Sequence, residues 1–291
     1  MNTPLAVHAA PSAAASRVGR AGFAIGIAIV AVVATAALVG NMLVPHDPFV
    51  QDLGNRLKPP FWMDGTDPSH LLGTDQLGRD YLARLVYGAR ISLLIGIMTV
   101  ITSGLIGITL GVVGGFFGGR VDDVVLFAIT TRLSIPVVLV ALAVVGLLGS
   151  GLWLVVATLG LLLWDRFAVV ARATTMQVRT LDYVSAAWCA GASTSHILVK
   201  EILPNIASHL AVVATLEMAL AILLEAALSF LGLGVPPPLP SWGLMIAEGK
   251  DYMFFSPWVI FVPGVALFTL VLGINLVGDG LRNLLGTERL R

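Results

Sequence analysis

Charge is what this sequence has least of. Only 12% of its 291 residues are Asp, Glu, Lys or Arg, against 57% hydrophobic ones, and the mean hydropathy is +0.92. A soluble domain carries about 25% charged residues and about 45–50% apolar ones. The chain lacks the polar surface to coat a globule in water, so its solvent is lipid. Seventeen basic residues balance seventeen acidic ones, which removes any electrostatic case for a nucleic-acid partner. Cys189 is the single cysteine, excluding an intramolecular disulfide and a cysteine-rich metal site. Lysine is scarce too. Lys58, Lys200 and Lys250 are the only three, and none precedes Ser or Thr, so there is no phosphate-binding G-x-x-x-x-G-K-[ST] loop. Among His8, His46, His70, His196 and His209 there is no H-E-x-x-H pair, and G-x-S-x-G is missing as well. Those absences leave no catalytic motif of the common hydrolase types and predict a chain that is not an enzyme.

What is present is a series of long apolar runs. Roughly 20 apolar residues cross a hydrocarbon core. Residues 21–45 make a first span, too long for the h-region of a signal peptide of about 7–15 residues, and are read as an uncleaved helix. Residues 91–119, between Arg90 and Arg120, make a second. Val124–Thr131 and Leu133–Trp164 together supply two more, hinged at Gly149–Gly151, with Arg132 snorkelling to the headgroups. Residues 206–230 and 257–280 complete an all-α polytopic membrane protein of six transmembrane helices. The organisation expected is a tail over 1–20, a span over 21–45, an outer segment over 46–90, a five-helix core over 91–280 with a polar loop over 173–205, and a tail over 281–291.

Lys and Arg set the orientation. With both termini in the cytoplasm, ten basic residues lie inside (Arg17, Arg20, Arg120, Arg166, Arg172, Arg179, Lys200, Arg282, Arg289, Arg291) and six outside (Arg56, Lys58, Arg79, Arg84, Arg90, Lys250). The outer segment reads as turns up to about Asp75. From Leu77 it reads as an amphipathic helix lying on the membrane before the chain turns in. His46, Asp47 and His70 match no metal-ligand spacing and are taken as solvated loop residues, so no metal site is expected. Gly107, Gly111, Gly115 and Gly119 recur every fourth residue with Ser103 just before, a groove of small side chains for close helix packing. Glu217 and Glu225 lie within an apolar span, and carboxylates there are candidates for a translocation pathway. Their spacing places them roughly on one face.

The polar stretch "TLDYVSAAWCAGASTSHILVKEILPN", residues 180–205, stands apart. Asp182 is placed to cap a short helix over Tyr183–Ala190, with Gly191 as its left-handed stop. Ser193 caps a second helix, which Pro204 ends or passes into the next span. Ser185, Ala186, Ala187 and Ala190 give the first helix a face of small residues, edged by Tyr183 and Trp188. Such a helix suits insertion into a groove on another protein.

The same stretch resembles the cytoplasmic "EAA" loop of ABC-importer permeases, through Ser185-Ala186-Ala187, Gly191 and Leu203-Pro204. "LLGTDQLGRDYLARLVYGARISLLIG" (71–96), "LSFLGLGVPPPLPSWG" (228–243) and "NLVGDGLRNLL" (275–285) are similar to the C-type permease subunit of dipeptide, oligopeptide and nickel importers. The likeness runs from about residue 20 to the end. Ser185 stands where the family has Glu, Glu201 where this branch often has His, and Gly286-Thr287 where Asp-Pro is usual. The resemblance implies a type I ABC-importer permease fold in the bacterial inner membrane, serving ATP-driven import of peptides. It also implies a second homologous permease subunit, two ATPase subunits that bind the ATP and magnesium, and an extracytoplasmic substrate-binding protein. No cofactor is implied for this chain. The coupling contacts would be Asp182, Tyr183, Ser185, Ala186, Ala187, Trp188, Gly191, Ala192, Leu203 and Pro204. The alternatives are a secondary transporter working through Glu217 and Glu225, or import of nickel or another small solute by the same family.

Overall fold

The computed structural model describes residues 13–288, with side chains described over 20–284 except at 41 and 43. The far ends of the two expected tails, residues 1–12 and 289–291, lie outside the described residues. Helix α1 (Ala13–Leu43) is followed by a long irregular segment. Then come α2 (Tyr81–Phe117), α3 (Gly119–Leu133), α4 (Val137–Leu148), α5 (Leu152–Leu162), α6 (Asp165–Val178) and the short α7 (Asp182–Cys189). The short turn α8 (Thr194–His196) leads through a π-helical stretch (Ile197–Ile202) into α9 (Leu203–Phe230), followed by α10 (Trp242–Gly249) and α11 (Trp258–Glu288). Among the described residues there is no strand, only an isolated bridge between Thr74 and Asp80. Five helical stretches are long and apolar enough to cross a membrane: 20–40, 81–117, 152–178, 194–230 and 258–284. The α3–α4 pair, bent by 80°, passes the same test only when the two helices are taken together, which brings the count to six if they form one broken span.

Helix α2 is the spine. Its 37 residues extend about 55 Å at 1.5 Å per residue, well past the hydrocarbon core at both ends. The four-residue glycine ladder packs it onto α6. A Cβ at Gly107 would meet Trp164 O and the Phe167 side chain. One at Gly111 would lie 2.5 Å from Ala168 O and 2.7 Å from Ala171 Cβ, and one at Gly115 2.7 Å from Arg172 O. Gly119 lies beyond the ladder with φ +53° and open space around it, so it serves the turn into α3 and not the packing.

Three expectations give way here. The surface-lying helix from Leu77 is the first part of α2, with no turn before residue 91: the helix starts at Tyr81, capped by the Asp80 carboxylate on Ala83 N. Its polar side is covered by protein and not by headgroups. Tyr81 donates to Val259 O at 2.5 Å, and Trp242 lies against Gly88 and donates to Leu85 O at 2.8 Å. Nor does Arg132 snorkel. It is 9% exposed and donates to Ile135 O and Leu162 O. Those carbonyls sit at the breaks between α3 and α4 and between α5 and α6, where the helical ladder is interrupted. One guanidinium thereby satisfies polar backbone that lipid would leave unpaired. Finally, Gly149–Gly151 is one of three breaks in this region, the others being Ser134–Pro136 and Leu163–Trp164.

The irregular segment folds as a cap over the start of α2. Asp75, fully buried, accepts from Leu77 N, Arg79 N and Arg79 Nε at 2.6–2.9 Å, and also from Arg84 Nη1. Both arginines reach Glu248 on α10, with Arg84 Nη2 at 2.8 Å and Arg79 Nη2 at 3.4 Å. Two cations and two anions balance inside this knot, which is how buried charge becomes tolerable. Gly78 (φ +73°) permits the tight turn, where a Cβ would strike Asp52 O.

Candidate functional site

At the other end of α2 the chain is open. After α6, Arg179 donates to Phe116 O at 2.8 Å, and Arg172 grips Asp122 of α3 through both carboxylate oxygens at 2.5 and 2.6 Å. Beyond Leu181 the chain forms α7, eight residues with a single buried side chain, Val184. That valine inserts among Ile197, Ile202 and Ile206 and, through them, against Val112 of α2 and Phe167 of α6. Asp182, Tyr183, Ser185, Ala186 and Trp188 are exposed, and Ala187 is half-buried. Trp188 stacks on Phe116 with ring centroids 6.2 Å apart and planes 15° from parallel. A cleft of about 420 Å³ opens beside it, lined by Phe116, Phe117, Arg179, Thr180, Trp188 and Thr194. Partial burial, reinforced by the nearby Glu201 carboxylate, raises the Tyr183 phenol above its ordinary range.

The ends of α7 differ in part from expectation. Asp182 is the first helical residue and not the cap, because Leu181 holds the extended cap conformation and has no side-chain oxygen to offer. The acid still lies in the first turn, where the helix dipole favours it. Gly191 adopts φ +81° with no atom within 4 Å of its would-be Cβ, the left-handed stop read from the sequence. Ser193 Oγ accepts from His196 N at 3.3 Å and caps the next helix. Ala192 is half-buried, while Leu203 and Pro204 are exposed. Of the two roles expected for Pro204, the entry to the next span is the one observed, in the first turn of α9. The π-helical stretch before it, with Leu203 N bonding back to Leu198 O, shifts the ladder so that the missing proline N–H is absorbed. The helix runs on through α9.

Glu217 and Glu225, both on α9, are fully buried within this chain. Glu217 lies 3.3 Å from Arg166, whose side chain is 57% exposed. Glu225 points elsewhere: its Oε1 accepts from Ser229 Oγ at 2.7 Å and Ser241 Oγ at 2.8 Å, tying α9 to the start of α10. The two acids therefore do not share an environment. The Phe116–Trp188 stack and the Arg179 clasp had no local signal, since both join residues more than sixty positions apart; the phenylalanines in "GGFFGG" carried only a turn signal.

Residues 107–289 match the family model described as binding-protein-dependent transport system inner membrane component. The chain belongs to this family. Over 260 residues it is 41% identical to a di/tripeptide transport system permease protein of Pseudomonas aeruginosa, covering 89% of this chain and 86% of that relative. An oligopeptide transport system permease protein of Bacillus subtilis is 35% identical, over 90% and 84% of the two chains. A chain of the MetNI methionine ABC transporter, in a structure titled as inward-facing, superposes with a TM-score of 0.57 at 19% identity, covering 67% of this chain and 93% of that one. That likeness is one of fold. An inner-membrane component of a binding-protein-dependent system works with other proteins, so a self-sufficient gradient-driven carrier built on Glu217 and Glu225 is not favoured. The serine-tied Glu225 agrees.

Proposed function

We propose that this inner-membrane component is one of two permease subunits in an ATP-driven importer of di- and oligopeptides, and that α7 is its coupling helix. In this reading both termini and α7 face the cytoplasm, while the cap over residues 46–80 and the loop after α9 face outward toward the binding protein. Phe254 and Phe255, at 84% and 86% exposure in the turn between α10 and α11, suit contact with a soluble partner. ATP and magnesium belong to two separate ATPase subunits, and this chain carries no cofactor for the power stroke.

The single observation that carries the reading is α7 itself. It is anchored by one buried valine and the Trp188–Phe116 stack, with small residues and Tyr183 on its free faces. A helix held so lightly on its own chain gains its burial from another. When nucleotide closes the ATPase pair, the two coupling helices are drawn together. Val184 and the Ile197–Ile206 wall pass that displacement to α9, α6 and α2, a two-state element biased from outside the chain. The Glu217–Arg166 pair, with its exposed guanidinium, is then the better candidate for lining the pathway, and Glu225 a structural tie.

Co-purification tests the assignment. The chain is expressed with its permease and ATPase partners and captured through this subunit. The capture is repeated with Gly191→Asp and with residues 182–191 replaced by a Gly/Ser linker. The ATPase should accompany wild type and be lost with the linker. Gly191→Asp should retain assembly while uncoupling ATP hydrolysis from uptake. Normal peptide uptake by Gly191→Asp, or ATPase retained on the linker variant, would remove α7 from the mechanism.

A further inference from the structure

His46 and His70 are not the independent loop residues that their spacing suggested. The fold brings both onto Asp80. His70 Nδ1 lies 2.7 Å and His46 Nδ1 3.4 Å from the same oxygen, Asp80 Oδ2, and the two imidazole centroids are 4.7 Å apart. The other oxygen, Oδ1, is already committed to capping α2 through Ala83 N at 2.7 Å. One carboxylate oxygen and two imidazole nitrogens thus converge, all within 4.8 Å of one another, and among the described residues no other three such side chains do so. The convergence was hidden in the sequence because the three residues come from three different pieces: the chain leaving α1, the middle of the outer segment, and the cap of α2.

We propose that His46, His70 and Asp80 form a binding site for a divalent transition-metal ion of the zinc class. Two imidazoles and a carboxylate suit Zn²⁺, Co²⁺ or Ni²⁺, whereas Mg²⁺ and Ca²⁺ favour all-oxygen sets. A tetrahedral ion with bonds of about 2.1 Å spaces its ligands about 3.4 Å apart. His46 and Asp80 already stand at that separation. The His70 contact would open by about 0.7 Å as the ion replaced the shared proton. The backbone N–H on Oδ1 supplies the outer hydrogen bond that orients a ligating carboxylate. The fourth position faces a cleft of about 330 Å³, lined in part by Pro45, Asp47 and Asp52, where a water completes the set. Bound there, the ion would pin the chain leaving α1 to the head of α2.

The test uses the full chain in detergent, without a polyhistidine tag and carrying Cys189→Ser so that no thiolate competes. After chelator treatment it is titrated with Zn²⁺ by calorimetry and with Co²⁺ by absorption. The expected result is one equivalent bound at about micromolar affinity or tighter, and a thermal midpoint raised by Zn²⁺. His46→Ala, at a partly exposed position, should weaken binding at least about tenfold and abolish the thermal shift. His70→Asn, which keeps a donor for Asp80, should do the same. Absence of stoichiometric Zn²⁺ uptake by the parent overturns the proposal, as does a His46→Ala titration indistinguishable from the parent's. Should His70→Asn fail to fold, His46→Ala decides alone.

Discussion

The two ends of α2 are built on opposite principles. At Tyr81 the spine is locked: Asp75, Arg79 and Arg84 are each at most 2% exposed, their charges balanced through Glu248, and α10 and α11 are hydrogen-bonded onto the first two turns. At Phe117 the neighbouring element, α7, rests on one valine and one aromatic stack. The closed end suits a fixed platform, since buried and balanced charge resists rearrangement. The open end suits an element whose missing contacts come from elsewhere, because lightly packed segments occupy the low end of the local stability range. The comparison predicts that changes at the closed end damage the fold, whereas changes on the exposed faces of α7 damage only partnership.

The largest expected effect is Arg84→Ala. It strips a guanidinium that is 1% exposed from Asp75 and Glu248 and leaves Arg79 to balance both. Breaking a buried pair from one side costs about 3–5 kcal/mol. The thermal midpoint in detergent, followed by circular dichroism, should therefore fall on the order of 10 °C. A midpoint within a degree or two of wild type would mean that the knot is ornamental and that the closed end is no more rigid than the open one.

Gly111→Leu comes next. The new Cβ alone would stand 2.5 Å from Ala168 O and 2.7 Å from Ala171 Cβ, and an overpacked interface of this kind costs about 1–3 kcal/mol or more. The chain should survive extraction but unfold earlier, with α2 and α6 pushed apart. A cysteine pair placed across those helices should then cross-link poorly in the variant and well in wild type. If cross-linking is unchanged, the glycine ladder does not set the helix separation.

That ladder also shows what the sequence makes legible. Spans, the glycine repeat and the Gly191 stop were readable because each is a local pattern with a local cause: length of apolar run, a four-residue period, a required φ. The polar knot, the Arg132 clasp and the histidine pair on Asp80 were not, because each joins segments whose separation carries no period. Arg132 shows the difference well. Alone in an apolar run it reads as a snorkelling side chain, and only the broken helices around it reveal carbonyls in need of a donor. Pro204 left two readings open, an end or an entry, and only the π-helical stretch before it decides for the entry to α9.

The smallest expected effect on the fold, and the one that separates the two ends most sharply, is Tyr183→Ala. The side chain is 38% exposed, and Val184 beside it does the anchoring. Its loss should leave the thermal midpoint of the isolated chain unchanged, because surface substitutions of this kind stay within about 0.5 kcal/mol. Retention of the ATPase subunit should nonetheless drop. An aromatic anchor at the centre of an interface is commonly worth about 2 kcal/mol, close to thirtyfold in affinity. The measurement is a dissociation rate for ATPase from immobilised permease, taken alongside the midpoint. A lowered midpoint with unchanged dissociation would place Tyr183 in the packing of this chain and would close the open end of α2, erasing the contrast from which the coupling role is argued.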